Sequence, residues 1–445
     1  MQMSDAKGEA VLDATFRGVP FTAPTPASRF PQAGLRPSHG DLALPALTLA
    51  ILDIDGSLTL TLGEAALRAN RALFFRYLAA HGAEVAPHAK TPMSPEIVAE
   101  LRDAGAWGAS VANIQQAAVL MQSGERRLLL ANQIGGGTAG RRLGALLAAY
   151  PDVELSAFAD SPEAVATLAI AAETGGRTGL PILVEIGDGR AGARNDAAVA
   201  AVIAAVRAAA PRLRLAGVAT YEGAVAGPDQ AKTRAAITRL MARTAASFAA
   251  VRAAEPDTEL ILSAGGSAFF DLVIAALSPI VAADGRTTLL LRSGAIFFAD
   301  HGVYAKAFAA LDERGGLVIG AEKLKAAEAF RPALRLWAEV LSRPEPGLAI
   351  AGFGMRDVSF DQGLPVLLSI YRDGQELAGA ADGIVVEKLN DQHAFLRLPP
   401  ESGLEVGDVL CLGISHPCTC LDRWRLVFGL GEDGSVTRVL RTHFG

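Results

Sequence analysis

The sequence predicts an α/β fold: a (β/α)8 TIM-type barrel followed by a mainly-β domain. Between 84 and 292, apolar runs of strand length alternate with amphipathic, Ala-rich runs of helix length. Repeated β-α units of that kind imply a parallel sheet, open or closed into a barrel. From about 318 the texture changes to short alternating runs separated by turns, which is the pattern of a mainly-β domain. The chain is also too long, at 445 residues, for one ordinary domain. With 51% hydrophobic, 20% charged and 6% aromatic residues, it has the composition of a large globular core.

Taken in order, residues 1–44 form an arm of weak periodicity, punctuated by Pro20, Pro24, Pro26, Pro31 and Pro37. The next run, 47–53, has strand character but is one strand too many for a barrel of eight, so it is available as a partner for the second domain. The eight barrel strands are expected at 84–90, 107–112, 127–133, 153–159, 181–187, 213–221, 259–263 and 287–292. Helical stretches between them include 63–81, 94–105, 162–174, 196–210 and 229–254. Two of these open on Ser94-Pro95-Glu96 and Ser161-Pro162-Glu163, where Ser suits the N-cap and Pro the first turn. The later strands are expected at 333–343, 347–352, 364–371, 382–389, 394–398, 408–413 and 424–429. The expected division is therefore an arm (1–44), a barrel (45–315) and a mainly-β domain (318–445).

The charge balance is −6 and no basic run exceeds two residues, which argues against a nucleic-acid surface. Met1-Gln2-Met3-Ser4-Asp5-Ala6-Lys7 lacks the pattern of a signal peptide, and the longest apolar candidate, around Ala197 to Ala210, is short and interrupted by Arg207. A soluble, cytoplasmic protein without a membrane partner is expected. The three cysteines, Cys411, Cys418 and Cys420, lie within ten residues beside His416, a clustering that suggests a metal before a disulfide.

Five groups of residues carry chemistry. Pro87-His88-Ala89-Lys90-Thr91 ends the first barrel strand. Barrel chemistry sits at the carboxyl ends of strands, and a lysine partly buried in an apolar mouth has a lowered pKa and forms Schiff bases. A solvated strand-end lysine is the plainer alternative. Ser263-Ala264-Gly265-Gly266-Ser267 follows strand seven, and Arg292-Ser293-Gly294 ends strand eight. Loops at these two places form the usual phosphate site of a barrel, although a Gly-Gly pair also serves plain turns. Gly187-Asp188-Gly189-Arg190 leaves strand five, offering an arginine to a carboxylate or a ring nitrogen, or else a surface turn. Thr220-Tyr221-Glu222-Gly223 ends strand six and brings a tyrosine to the mouth, for function or for packing. Lastly, Ser415-His416-Pro417-Cys418-Thr419-Cys420 has the His-x-Cys spacing that puts two side chains on one side of an extended segment. Imidazole plus thiolate suits zinc, while a capping histidine and a buried thiol are the alternative.

Together these segments resemble the D-threonine aldolase and D-serine dehydratase family, fold-type III pyridoxal 5'-phosphate (PLP) enzymes with an alanine racemase-like barrel. The resemblance runs in order through Lys90, Ala131-Asn132, Gly187–Arg190, Tyr221-Glu222-Gly223, Ser263–Gly266, Gly294, Asp300, Tyr304, Gln392-His393, Gly407-Asp408 and His416-Pro417-Cys418, covering roughly 45–425. It implies that Lys90 holds the cofactor covalently and acts on the Cα proton of an amino acid substrate. It implies that Ser263, Gly265, Gly266, Ser267, Ser293 and Gly294 bind the PLP phosphate, that Arg190 and Tyr221 contact the pyridine ring, and that His416 and Cys418 ligate a divalent metal. Aldolases of the family write the metal pair His-x-Asp and dehydratases His-x-Cys. The pair here therefore implies zinc and a dehydratase (deaminase) of D-3-hydroxy amino acids such as D-serine or D-threonine, with a D-threonine-type aldolase or an amino acid racemase as the alternative. A PLP-binding regulatory or carrier protein is a third reading; such proteins share the barrel but lack a β domain. The resemblance also implies a homodimer. The chain departs from the family's pattern at Pro92-Met93, Ile114-Gln115-Gln116 and Ala224, all in loops at the barrel mouth, which bears on the substrate side chain and leaves the cofactor expectation in place.

Overall fold

The structure, a computed structural model, describes residues 58–444 together with the backbone of the short strands Ala14–Phe16 and Val19–Phe21. The strand expected at 47–53 and almost all of the 1–44 arm lie outside the described residues. The chain divides into two compact units, one of 73–296 with 307–326, the other of 1–72, 297–306 and 327–445.

The first unit is the barrel. Eight strands, Ala83–Val85, Ala109–Val111, Arg127–Leu130, Glu154–Ala159, Leu180–Ile186, Leu213–Thr220, Leu260–Ser263 and Thr287–Leu291, form one sheet whose pairings are all parallel. Strand eight pairs back onto strand one. Strands one and two meet through Trp107 N–H to Val85 O (2.9 Å) and a parallel bridge between His88 and Ser110. That bridge removes the last sheet edge. The barrel is filled by Ala86, Trp107, Leu129, Phe158, Leu183, Ala216, Ala219 and Leu290, a packed core of side chains rather than a pore. The intervening helices bury one apolar face each; Leu240, Met241, Phe248 and Val251 do so for Gln230–Ala254. Ser161 caps its helix by accepting from Ala164 N–H (3.2 Å), as expected. Ser94 does not: its hydroxyl donates to Glu96 (2.8 Å), so that helix starts on Pro95 alone.

In the second unit, the described strands build a largely antiparallel sheet around the long strand Leu334–Glu345. That strand pairs with Val409–Gly413 on one side and with Leu58–Gly63 on the other. Leu58–Gly63 also pairs, in parallel, with Leu426–Leu430. A strand preceding the barrel in sequence thus belongs to the second sheet. Trp337, Cys411, Phe428 and Val436 form a core cluster here, and Trp337 Nε1–H donates to Thr61 (2.9 Å). The segment 300–303 is stitched to the end of Val409–Gly413, with His301 N–H on Ile414 O and Val303 N–H on Ser415 O, each 3.0 Å.

Candidate active site

Beyond Val85 the chain runs through Ala86, Pro87 and His88 into a turn over 89–92 that contains Lys90. The turn is tied to both neighbouring strands: Ala86 N–H donates to Leu291 O (2.8 Å) and Ala89 N–H to Ser110 O (2.8 Å). The turn carries Lys90 past the strand end, so it is exposed rather than partly buried as expected. Beside it, His88 Nδ1 accepts from the Lys90 backbone N–H (3.4 Å). Burial holds the His88 imidazole well below its ordinary pKa, and the charges of Lys90, Arg292 and Arg190 push the same way. His88 is therefore a neutral ring among three cations.

The loops after strands seven and eight lie together, but their polar groups are not all available to a ligand. Ser263 Oγ donates to Leu290 O (3.0 Å) and accepts from Arg292 Nη1 (2.6 Å). Ser293 Oγ donates to Gly265 O (3.2 Å). A hydroxyl has one proton, so Ser263 and Ser293 cannot also donate to a phosphate in this arrangement. Gly265 and Gly266 direct their N–H groups at the carboxylate of the fully buried Glu222, at 3.0 and 2.6 Å. Ser267 differs, since its oxygen accepts from Ile296 N–H (3.1 Å) while its proton is uncommitted. Among the described residues, no acceptor takes the backbone N–H groups of Gly294 or Ala295. The glycines also make room: a Cβ on Gly294 would stand 2.5 Å from His88 O, and one on Gly266 would stand 2.9 Å from the Tyr221 ring. A cradle of small residues with unused donors fits a phosphate.

Arg190 and Tyr221, expected to share the cofactor ring, lie together, with the guanidinium 5.1 Å from the tyrosine ring centre. The sequence reading gave no role to Arg292, Glu185 or Glu222. Arg292 is buried and donates to Thr220 O and Ser263 Oγ, both at 2.6 Å. Burial depresses its pKa, and Glu222 and Glu185 are the carboxylates that offset this. Glu185, bonded by Gln133, has its own pKa raised by burial. A charged residue closing each of three apolar strands was the available signal, because such groups stay buried only with partners.

In the second unit His416 and Cys418 are in contact, though not as expected. The segment after His416 is a helical turn, Pro417–Leu421, with His416 at its N-cap. The pair therefore meets across a cap rather than along an extended strand, because Pro417 begins a helix. Burial alone would lower the His416 pKa, but the hydrogen bond and charge of Cys418, with those of Asp361, raise it to about 9. Asp361 bonds His416 Nδ1 at 2.7 Å and also accepts from Thr419 Oγ1 at 2.5 Å. With Nδ1 on Asp361, Nε2 is the histidine atom that would ligate a metal. The other thiols are inert: burial pushes Cys411 up to about 11 and Cys420 up to about 12. Cys420 is fully buried. No group of three His, Cys, Asp or Glu among the described residues is arranged to hold a metal. The donor set is thus an imidazole and a thiol, which fits an ion completing its shell with water or substrate. In the same unit, Asp300 caps the start of the helix Val303–Glu313 through Oδ1, bonding Gly302 and Tyr304 N–H at 2.7 and 2.9 Å, while Oδ2 is buried with no hydrogen-bond partner among the described residues. Burial raises its pKa to about 7, offset in part by those bonds and by His416.

Known proteins match each unit of the chain. Residues 63–277 match the alanine racemase N-terminal domain and residues 333–430 match a serine dehydratase domain. The chain belongs to the fold-type III PLP family. This family member is 28% identical to the D-threonine aldolase of an Arthrobacter species over 380 residues, 84% of this chain and 88% of that protein. In fold it is similar to the D-threonine aldolase of Filomicrobium marinum, with a TM-score of 0.68 and 22% identity over 86% of this chain and 94% of that one. It is also similar to the D-threo-3-hydroxyaspartate dehydratase of Delftia sp. HT23, with a TM-score of 0.65 and 22% identity over 87% of this chain and 97% of that one. These relatives are lyases, so the family context is that of an enzyme acting on an amino acid. No helix among the described residues is long and apolar enough to cross a membrane.

Proposed function

We propose that the protein is a PLP-dependent and zinc-dependent dehydratase of D-3-hydroxy amino acids, releasing a 2-oxo acid and ammonia. The observation that carries this reading is the contact of His416 with Cys418 behind an Asp361 bond. A thiolate with an imidazole is a soft donor pair and favours zinc over magnesium or manganese. When bound, the cofactor supplies an electron sink at Cα and the metal supplies Lewis acidity at the β-hydroxyl.

In this reading, the chain's own residues do the rest. Lys90 anchors the cofactor and its amine takes the Cα proton as general base. Ser267 and the N–H groups of Gly294 and Ala295 hold the phosphate; Gly265 and Gly266 contribute space, and Ser263 and Ser293 brace the loops. Arg190 and Tyr221 pack at the ring. His88, held neutral by burial and, secondarily, by its cationic neighbours, adds no further positive charge beside Lys90. His416 Nε2 and Cys418 Sγ hold the metal, with Asp361 fixing the imidazole. The domain division at about 315–318 and a homodimeric active unit belong to the same proposal, and sedimentation at assay concentration tests the latter.

A metal-dependent D-threonine-type aldolase, which yields glycine and an aldehyde, uses the same residues and differs only in the bond broken. Incubation with D-serine, D-threonine and D-threo-3-hydroxyaspartate, with and without chelator, separates the two. Dehydration gives chelator-sensitive 2-oxo acid, whereas glycine and aldehyde without 2-oxo acid would replace the dehydratase reading with the aldolase one.

A further inference from the structure

Glu222 is the residue at the barrel mouth that the proposed reaction leaves unused. It is fully buried, follows Tyr221 in a short 3-10 turn, and spends both carboxylate oxygens on one loop, Oε2 on Gly265 N–H at 3.0 Å and Oε1 on Gly266 N–H at 2.6 Å. A buried carboxylate is costly unless its charge is matched. The match here is Arg292, whose guanidinium is locked onto Thr220 O and Ser263 Oγ. The Gly-Gly loop is thereby fixed at both ends of a charge pair, and its two most obvious anion donors face inward.

We propose that Glu222 is the positioning residue of the phosphate cradle. By occupying the Gly265 and Gly266 N–H groups, it sets the loop so that Ser267 and the N–H groups of Gly294 and Ala295 are the donors left for a phosphate monoester. This rests on the reading of the barrel mouth as a PLP site. The physical logic is that a negative group beside an anion site is tolerable only where its charge is spent elsewhere, on two backbone donors and an arginine. Glutamine has nearly the same volume but one acceptor oxygen and an NH2 group. At this position it satisfies only one of the two N–H groups and leaves Arg292 with Glu185 as its one remaining carboxylate.

The test compares binding of PLP with that of pyridoxal, which lacks the phosphate, to the wild-type chain, Glu222→Gln and Glu222→Asp, by absorbance titration and thermal shift. In Glu222→Gln, PLP affinity should fall roughly 10–100-fold, the loss expected for a charge-assisted hydrogen bond, while pyridoxal affinity changes by less than about 3-fold. Glu222→Asp, which keeps the charge, should recover part of the PLP preference. Equal losses for both ligands, or no loss for either, would overturn the proposal. Residue-resolved amide exchange on the wild-type protein gives a second test that depends on no variant. PLP should leave Gly265 and Gly266 unchanged and newly protect Gly294 and Ala295, and the opposite pattern overturns the assignment. A wild-type chain that takes up pyridoxal and PLP equally overturns the cradle while keeping Lys90. A chain that takes up neither removes the PLP reading and this proposal together.

Discussion

The barrel mouth and the His416 corner hold their polar groups by different means. At the mouth, Arg292, Glu185 and Glu222 are buried at strand ends, and their charges are matched by one another and by backbone groups from several strands. At the corner, one helical turn and one loop suffice: Asp361, Thr419 and His416 form a compact triangle in which Asp361 is partly open to solvent. A network drawn from many strands is rigid because no member can move alone. A cap-and-loop triangle is easier to rearrange, which suits a site whose remaining ligands come from solvent or substrate.

Replacing either key side chain should separate the two regions. Lys90→Ala is expected to lower turnover by about 1,000-fold or more and to abolish borohydride-trapped cofactor; label retained on another lysine would break the assignment. Cys418→Ala should cost elimination about 100-fold or more and empty the metal site by elemental analysis, with PLP absorbance kept. Slow Cα-proton exchange should survive in that variant. Cys420→Ala serves as the contrast: its thiol is fully buried and held protonated, so metal content should be unchanged. Cys418→Asp should shift preference toward a harder ion such as Mn²⁺.

Smaller effects sharpen the comparison. Gly294→Ala brings a methyl group to 2.5 Å from His88 O and should lower the thermal midpoint by about 2–5 °C, with weaker PLP binding. The corner should instead show itself through pH. His416 in the metal-free chain is raised from 6.5 to about 9, so its stabilisation is complete below the unfolded pKa and is lost as pH rises through about 9. Between pH 7 and 10 the metal-free protein should lose about 2 °C more than Asp361→Asn. Identical pH profiles for the two proteins would show that Asp361 does not sustain the His416 charge.

Much of the barrel was legible because its periodicity is local. Strand runs such as 181–187 and 213–221 correspond closely to Leu180–Ile186 and Leu213–Thr220, since apolar runs bounded by turn residues report strands directly. Lys90 in the turn after strand one and the small-residue loops after strands seven and eight could be located by counting. The hydrogen bonds of Ser263, Ser293, Gly265 and Gly266 could not, because a hydroxyl or N–H donor is claimed by whichever acceptor folding brings near it. Glu222 was visible in the sequence only as part of Tyr-Glu-Gly.

The sequence by itself determined the alternation of strand and helix, the change to β structure near 318, and the residue types that could anchor a cofactor and a metal. Tertiary structure decided that Leu58–Gly63 joins the second sheet, that His416 meets Cys418 across a helix cap while Cys420 is buried, and that Glu222 takes two donors of the glycine loop. Periodicity records which face of an element is apolar and is written into neighbouring residues. The fate of a polar group depends on partners tens to hundreds of residues away, which only the folded chain brings within reach.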